Sequence, residues 1–192
     1  MLTIISPQDF RQIPWKNGKG ITQELAINQG ASLADFDWRL SIATVSEDGP
    51  FSDFSGYWRN LFLLEGAGIT LHHHNHHTDR LGELLSVASF DGQWQTDGQL
   101  HSGPIKDFNL MTRKELFQVN VKQWQTPSSH TINTASFVFV YSPTSETHLV
   151  FEDGTIEFDL PPNHLAQIEN TFSRISVEGE MVITIALNRL AD

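Results

Sequence analysis

The chain has 192 residues, enough for one large domain or two small fused ones, and a hydrophobic content of 39% argues against wholesale disorder. Twelve Lys and Arg against 23 Asp and Glu leave a formal charge of −11 with no basic run, so neither nucleic acid nor an anionic membrane is an expected partner. Without cysteine there are no disulfides, thiolate metal sites or cysteine nucleophiles, and the opening MLTIISPQDF lacks the marks of a signal segment, so a cytoplasmic location is expected.

Leu2 to Ile5 is a short apolar run, followed by PWKNGKG at Pro14 to Gly20. Gly18-Lys19-Gly20 is too short for a phosphate loop, which needs two glycines five residues apart followed by Lys and Ser or Thr. A turn presenting backbone amides, Lys16 and Asn17 at a rim is expected instead. From Gly20 to Ile27 a period of two places Ile21, Leu25 and Ile27 on one face of a strand and Thr22, Glu24 and Ala26 on the other. Trp38 to Val45 repeats the pattern, with Trp38, Leu40 and Ile42 opposite Arg39, Ser41 and Ala43.

Asp48 to Gly68 joins a turn-rich loop to the apolar run Leu61 to Leu64, closed by Glu65-Gly66-Ala67-Gly68. Next comes LHHHNHH at Leu71 to His77. His72 and His74 share a strand face and suggest a metal site, while Asn75 with its flanking histidines suits an exposed hairpin tip. Leu84 to Phe90 reads as a strand and Asp91 to Gly103 as a loop. In Gly103 to Lys114, Phe108 and Leu110 alternate with Asp107, Asn109 and Met111.

Further strands are expected at Leu116 to Lys122, Phe137 to Tyr141, Leu149 to Phe151, Ile156 to Leu160, Leu165 to Ile168, Arg174 to Val177 and Met181 to Leu187. Asp153-Gly154 signals a hairpin and Pro161-Pro162 a stop. No segment has sustained helical periodicity, so the expected class is all-β, a sandwich or barrel. Residues 59–90 and 137–168 follow a similar order of strands and turns, which suggests two fused β-barrel units: 1–124 and 135–192, joined by a polar linker at 125–134.

Trp15-Lys16-Asn17-Gly18 with Thr22 and Glu24, then WRLSIATV, DGPFSDFSGYWR, LLEGAG and GPIKDFNLMTR, together resemble the HutD/Ves family of bacterial proteins. The resemblance implies a bicupin, two jelly-roll-like cupin barrels in one chain. It also implies a link to histidine utilisation, with N-formylglutamate as a suggested ligand, or, through Ves members, to stress.

Metal-binding cupins carry two His and a Glu before a closing glycine, and a later His. With Gly66 as that glycine, the Glu position is Arg59 and the His positions fall around Ser52 to Phe54. A rival alignment, Gly66-x5-His72-x-His74 with Asp79, matches the motif's start. The first is preferred because Leu61 to Gly66 resembles the strand that follows the ligands. In the second half Asn163 replaces the glycine of Pro-x-Gly, and Ala166 stands at the later His position. No metal or other cofactor is therefore expected; the alternative ligand set is His72, His74 and His76.

The polar strand faces supply the expected ligand-binding residues: Lys16, Asn17, Glu24, Arg39, Ser41, Arg59 and Asn109. Two guanidinium forks suit a small anionic metabolite, although a buried Arg is also commonly locked to a structural carboxylate such as Glu24 or Asp107. The expected function is sensing or regulation through that metabolite, with a cupin isomerase, epimerase or hydrolase as the alternative. A homodimer through an edge strand or barrel face is allowed.

Overall fold

The computed structural model describes residues 1–15, 20–170 and 173–191, and every regular element among them is a β-strand. Among these residues no helix is long and apolar enough to cross a membrane. The first strands are β1 (Leu2–Ile5), β2 (Arg11–Pro14), β3 (Ile21–Ile27), β4 (Trp38–Val45), β5 (Gly49–Pro50) and β6 (Tyr57–Glu65). There follow β7 (Ile69–His73), β8 (Thr78–Leu81), β9 (Val87–Asp91), β10 (Thr96–Leu100), β11 (Ile105–Arg113) and β12 (Phe117–Trp124). The last are β13 (Ser128–Ile132), β14 (Phe137–Tyr141), β15 (Thr147–Phe151), β16 (Glu157–Leu160), β17 (Leu165–Glu169), β18 (Ile175–Gly179) and β19 (Val182–Arg189).

Two compact units result, one from Phe10 to Leu116 and one from Met1–Asp9 with the chain from Phe117 onward. The expected division at 125–134 is corrected in two respects. β1 pairs with β17, Leu2 opposite Ile168, so the N-terminal strand belongs with the C-terminal strands. Ser128 to Ile132, inside the expected linker, is β13 and pairs with β18 along its whole length.

The faint sequence repeat becomes plain in the topology. In the Phe10 unit the sheets run β2-β3-β4-β11-β6-β9 and β5-β10-β7-β8; in the other they run β12-β19-β14-β17-β1 and β13-β18-β15-β16. Adding eight to each strand number from β4 to β11 converts the first arrangement into the second. The same double-sheet module thus occurs twice, as a bicupin requires.

Their interiors differ. The C-terminal unit fills its own with Val138, Val140, Leu149, Leu160, Ala166 and Val177, all buried in one apolar cluster. In the Phe10 unit, Leu61, Leu63, Ile69, Leu71 and Ile105 make a comparable cluster, but the same strand faces continue into charged residues. β4 is buried on both faces for this reason: Trp38, Leu40 and Ile42 are shielded on one, Arg39 and Ser41 on the other.

One strand departs from simple alternation. The β3–β4 register pairs Glu24 with Ser41 and then Ala26 with Leu40, so Leu25 is an extra residue in a bulge. Beyond it the faces exchange, and Ile27, not Ala26, shares the face of Arg39. Local sequence carries no sign of this because the pairing, not the composition, creates it.

The turn after β6 depends on glycine. Gly66 and Gly68 have φ of +100° and +120°, and a Cβ on Gly68 would lie 2.3 Å from the Leu81 carbonyl oxygen. Gly68→Ala is expected to cost roughly 1–3 kcal/mol, read as a lower urea midpoint at unchanged m value. A cost below about 0.5 kcal/mol would show that the turn relaxes freely.

Candidate functional site

The charged end of the Phe10 unit opens into a cavity of about 600 Å³. Cross-strand register builds it in rows. Arg39 of β4 and Arg59 of β6 both lie opposite Met111 of β11, one on each side. With strands about 4.8 Å apart, the two arginine backbones are separated by about 10 Å and their side chains leave the sheet on one face. The next rows set Ser41 beside Asn109, and Ala43 beside Asp107.

The two arginines are held differently. Glu24 of β3 accepts from Arg39 Nε at 2.7 Å, both groups being buried, which neutralises this guanidinium in place. Arg59 Nη2 donates to Asn109 Oδ1 at 3.1 Å, and no carboxylate lies within ion-pair distance among the described residues. Its guanidinium instead lies 5.0–5.5 Å from the ring centres of Phe51, Phe54 and Phe90. Asn109 Nδ2 in turn donates to Asp107 Oδ1.

Two atoms of this chain of groups are left over: Arg59 Nε and Asp107 Oδ2 are buried without hydrogen-bond partners. Burial governs both titrations. It raises Asp107 to about 7, against the opposing pull of Arg59 and the Asn109 hydrogen bond. It lowers Arg59 to about 10, offset by Asp107 and reinforced by Arg39, which still leaves the guanidinium charged at neutral pH.

Of the expected binding residues, Arg39, Ser41, Arg59 and Asn109 line the cavity, and Glu24 stands behind Arg39. Lys16 and Asn17 lie outside the described residues. Asp107, expected as a structural carboxylate for an arginine, lines the cavity itself, and Phe51 and Phe90 beside Arg59 were not among the expected site residues. Asp107 shares the parity of Asn109 and Met111, and the signal for Phe51 was its place in the loop before β6.

Ser52 and Phe54 also line the cavity, so the two His positions and the Glu position of the preferred cupin alignment fall at its wall with Arg59. A guanidinium, a phenyl ring and a hydroxyl do not make a divalent-metal donor set, so the residues present do not fit a cupin metal. The histidine tract lies away from this wall. His72 is exposed near Gln99, His74 meets Asp97, and His76 stacks on Trp94 at 4.0 Å, so these three do not converge. Tyr57 is core and stacks on Phe36 at 4.2 Å.

Comparison with known proteins agrees with this architecture. An uncharacterised 21.2 kDa protein from the hutC 3′ region of Pseudomonas putida is 34% identical over 148 residues, 77% of each chain. Protein Ves of Escherichia fergusonii is 38% identical over 109 residues, 55% of this chain and 56% of Ves. The structure of HutD from Pseudomonas fluorescens SBW25 superposes with a TM-score of 0.85 over the full length of both chains at 30% identity. YlbA of Escherichia coli, at 11% identity and TM-score 0.67, shares the fold alone. The HutD family model matches residues 7–185, and the chain belongs to the HutD family.

Proposed function

We propose that the Phe10–Leu116 unit binds a small anionic metabolite in the Arg59 cavity and that its occupancy serves a sensing or regulatory role. The carrying observation is the buried Arg59 guanidinium, charged, free of a carboxylate and facing open volume. An unsatisfied buried donor costs about 1–3 kcal/mol, and a carboxylate is the group whose geometry best repairs this one. Asp107 Oδ2, unpartnered on the same wall, suits an N–H or hydroxyl beside that carboxylate. An acyl amino acid has both, and N-formylglutamate fits the family's tie to histidine utilisation.

Calorimetric titration and thermal shift against acetate, succinate, glutamate and N-formylglutamate test this. At one hundred times Kd, the ligand is expected to stabilise by about 2.7 kcal/mol, and Arg59→Gln is expected to remove the effect. Failure of every anion to bind, or equal binding by Arg59→Gln, would sink the proposal.

A second reading draws on Asp107 titrating near neutrality, where a carboxyl serves as a general acid or base. Glu24 is less suited, being committed to Arg39. Mass analysis of each bound anion after prolonged incubation separates the two: a changed ligand makes the protein an enzyme, and an unchanged one leaves it a binder.

A further inference from the structure

We propose that His73, His77 and Asp79 form a binding site for a single divalent transition-metal ion at the β7–β8 hairpin, separate from the arginine cavity. Asn75, at φ 62°, makes the tight turn, and His73 N–H donates to the His77 carbonyl at 3.1 Å, which sets the two imidazoles 5.0 Å apart. Asp79, two residues into the return strand, completes the group. Its Oδ2 lies 3.1 Å from Nε2 of His73 and 3.1 Å from Nε2 of His77. All three donor atoms fall within 4.8 Å of one another. Ligands about 2.0–2.2 Å from a tetrahedral ion are separated by about 3.3 Å, close to the two spacings between Asp79 and the imidazoles.

The surroundings prepare His73 for this role. Thr96 Oγ1 donates to the Trp94 carbonyl at 3.1 Å and lies 2.8 Å from His73 Nδ1. In the tautomer whose Nδ1–H donates to this hydroxyl, Nε2 presents a lone pair for a metal. In that tautomer the lone pair and the Asp79 carboxylate oxygen, 3.1 Å apart, are two acceptors that one cation would join. The ring is packed against Phe90 at 4.6 Å, which fixes its orientation. The opposite tautomer, with Nε2–H donating to Asp79 and the Thr96 hydroxyl donating to Nδ1, is the metal-free arrangement.

His73 is buried, Asp79 half-buried and His77 exposed, so an ion has both a fixed anchor and an entry path. Two nitrogens and one oxygen favour zinc, nickel or copper over calcium or magnesium, and three protein ligands leave a position open. The other histidines of the tract are engaged elsewhere, which distinguishes this site from indiscriminate capture by a histidine-rich strand.

The test uses full-length protein without an affinity tag, stripped with EDTA, dialysed and titrated with zinc chloride by calorimetry. Uptake of a single equivalent is expected. His77→Ala and Asp79→Asn should each weaken it at least about tenfold, and a His72→Ala/His74→Ala double variant should leave it unchanged. Melting curves of the stripped variants check folding, and Asp79→Asn, which removes only the charge, decides the case if His77→Ala is unstable. No uptake by the unaltered protein would mean that a Thr96–His73–Asp79 hydrogen-bond chain is all that exists, and a loss that follows the His72/His74 variant would mean surface capture; either result overturns the proposal.

Discussion

Asp107→Asn is expected to remove a pH dependence of stability worth roughly 4 kcal/mol between pH 4 and 7. Burial holds this carboxyl at about 7 in place of its ordinary 3.8. Between those values the folded chain keeps a proton that the unfolded chain has released. Stability is therefore fully present below the unfolded value and falls as pH rises through the folded one. Asparagine keeps the shape and still accepts from Asn109, but it has no proton to lose. The difference between wild type and variant in urea unfolding, taken at several pH values, isolates this group from every other titration. A difference that stays constant from pH 4 to 8 would contradict the assignment.

The same proton controls the charge available to a ligand. Glu24, Arg39, Arg59 and ionised Asp107 sum to zero, whereas protonated Asp107 leaves a single positive charge. Anion affinity is expected to fall by about tenfold per pH unit above 7 in the wild type, and to lose that slope in the asparagine variant.

Glu24→Ala is expected to destabilise by about 3–5 kcal/mol, because it strands the buried Arg39 guanidinium. Arg11, 3.8 Å from the other Glu24 oxygen and 69% exposed, has no comparable stake in that carboxylate. The loss should be partly reversed by a bound anion, since the freed Arg39 then becomes a second cationic contact. Urea unfolding with and without a carboxylate ligand measures both parts. A loss below about 1 kcal/mol would mean that water reaches Arg39 once Glu24 is gone.

Much of this site was legible in period-two patterns, because β4 and β11 carry their polar residues on alternate positions and pair without slippage across the cavity rows. What the pattern hid has identifiable causes. β10, read as loop, has the unpromising sequence Thr96-Asp97-Gly98-Gln99-Leu100 and is a strand because β7 offers it a partner along its whole length. The bulge at Leu25 adds a residue without altering composition, so it reversed one face silently. In the histidine tract the useful signal was parity. His73 follows Ile69 and Leu71 at alternate positions and is buried like them, while His72 and His74, the more motif-like pair, project outward or sit in the turn.

The pairing of β1 with β17 orders events during synthesis. Residues 2–5 are made well before their partner strand, Leu165–Glu169, from which the intervening chain separates them. Phe10 to Leu116, contiguous in sequence, holds every partner it needs once its last strand has emerged. The nascent chain can thus assemble the Phe10–Leu116 unit while the edge strand β1 waits, exposed, for the unit built later.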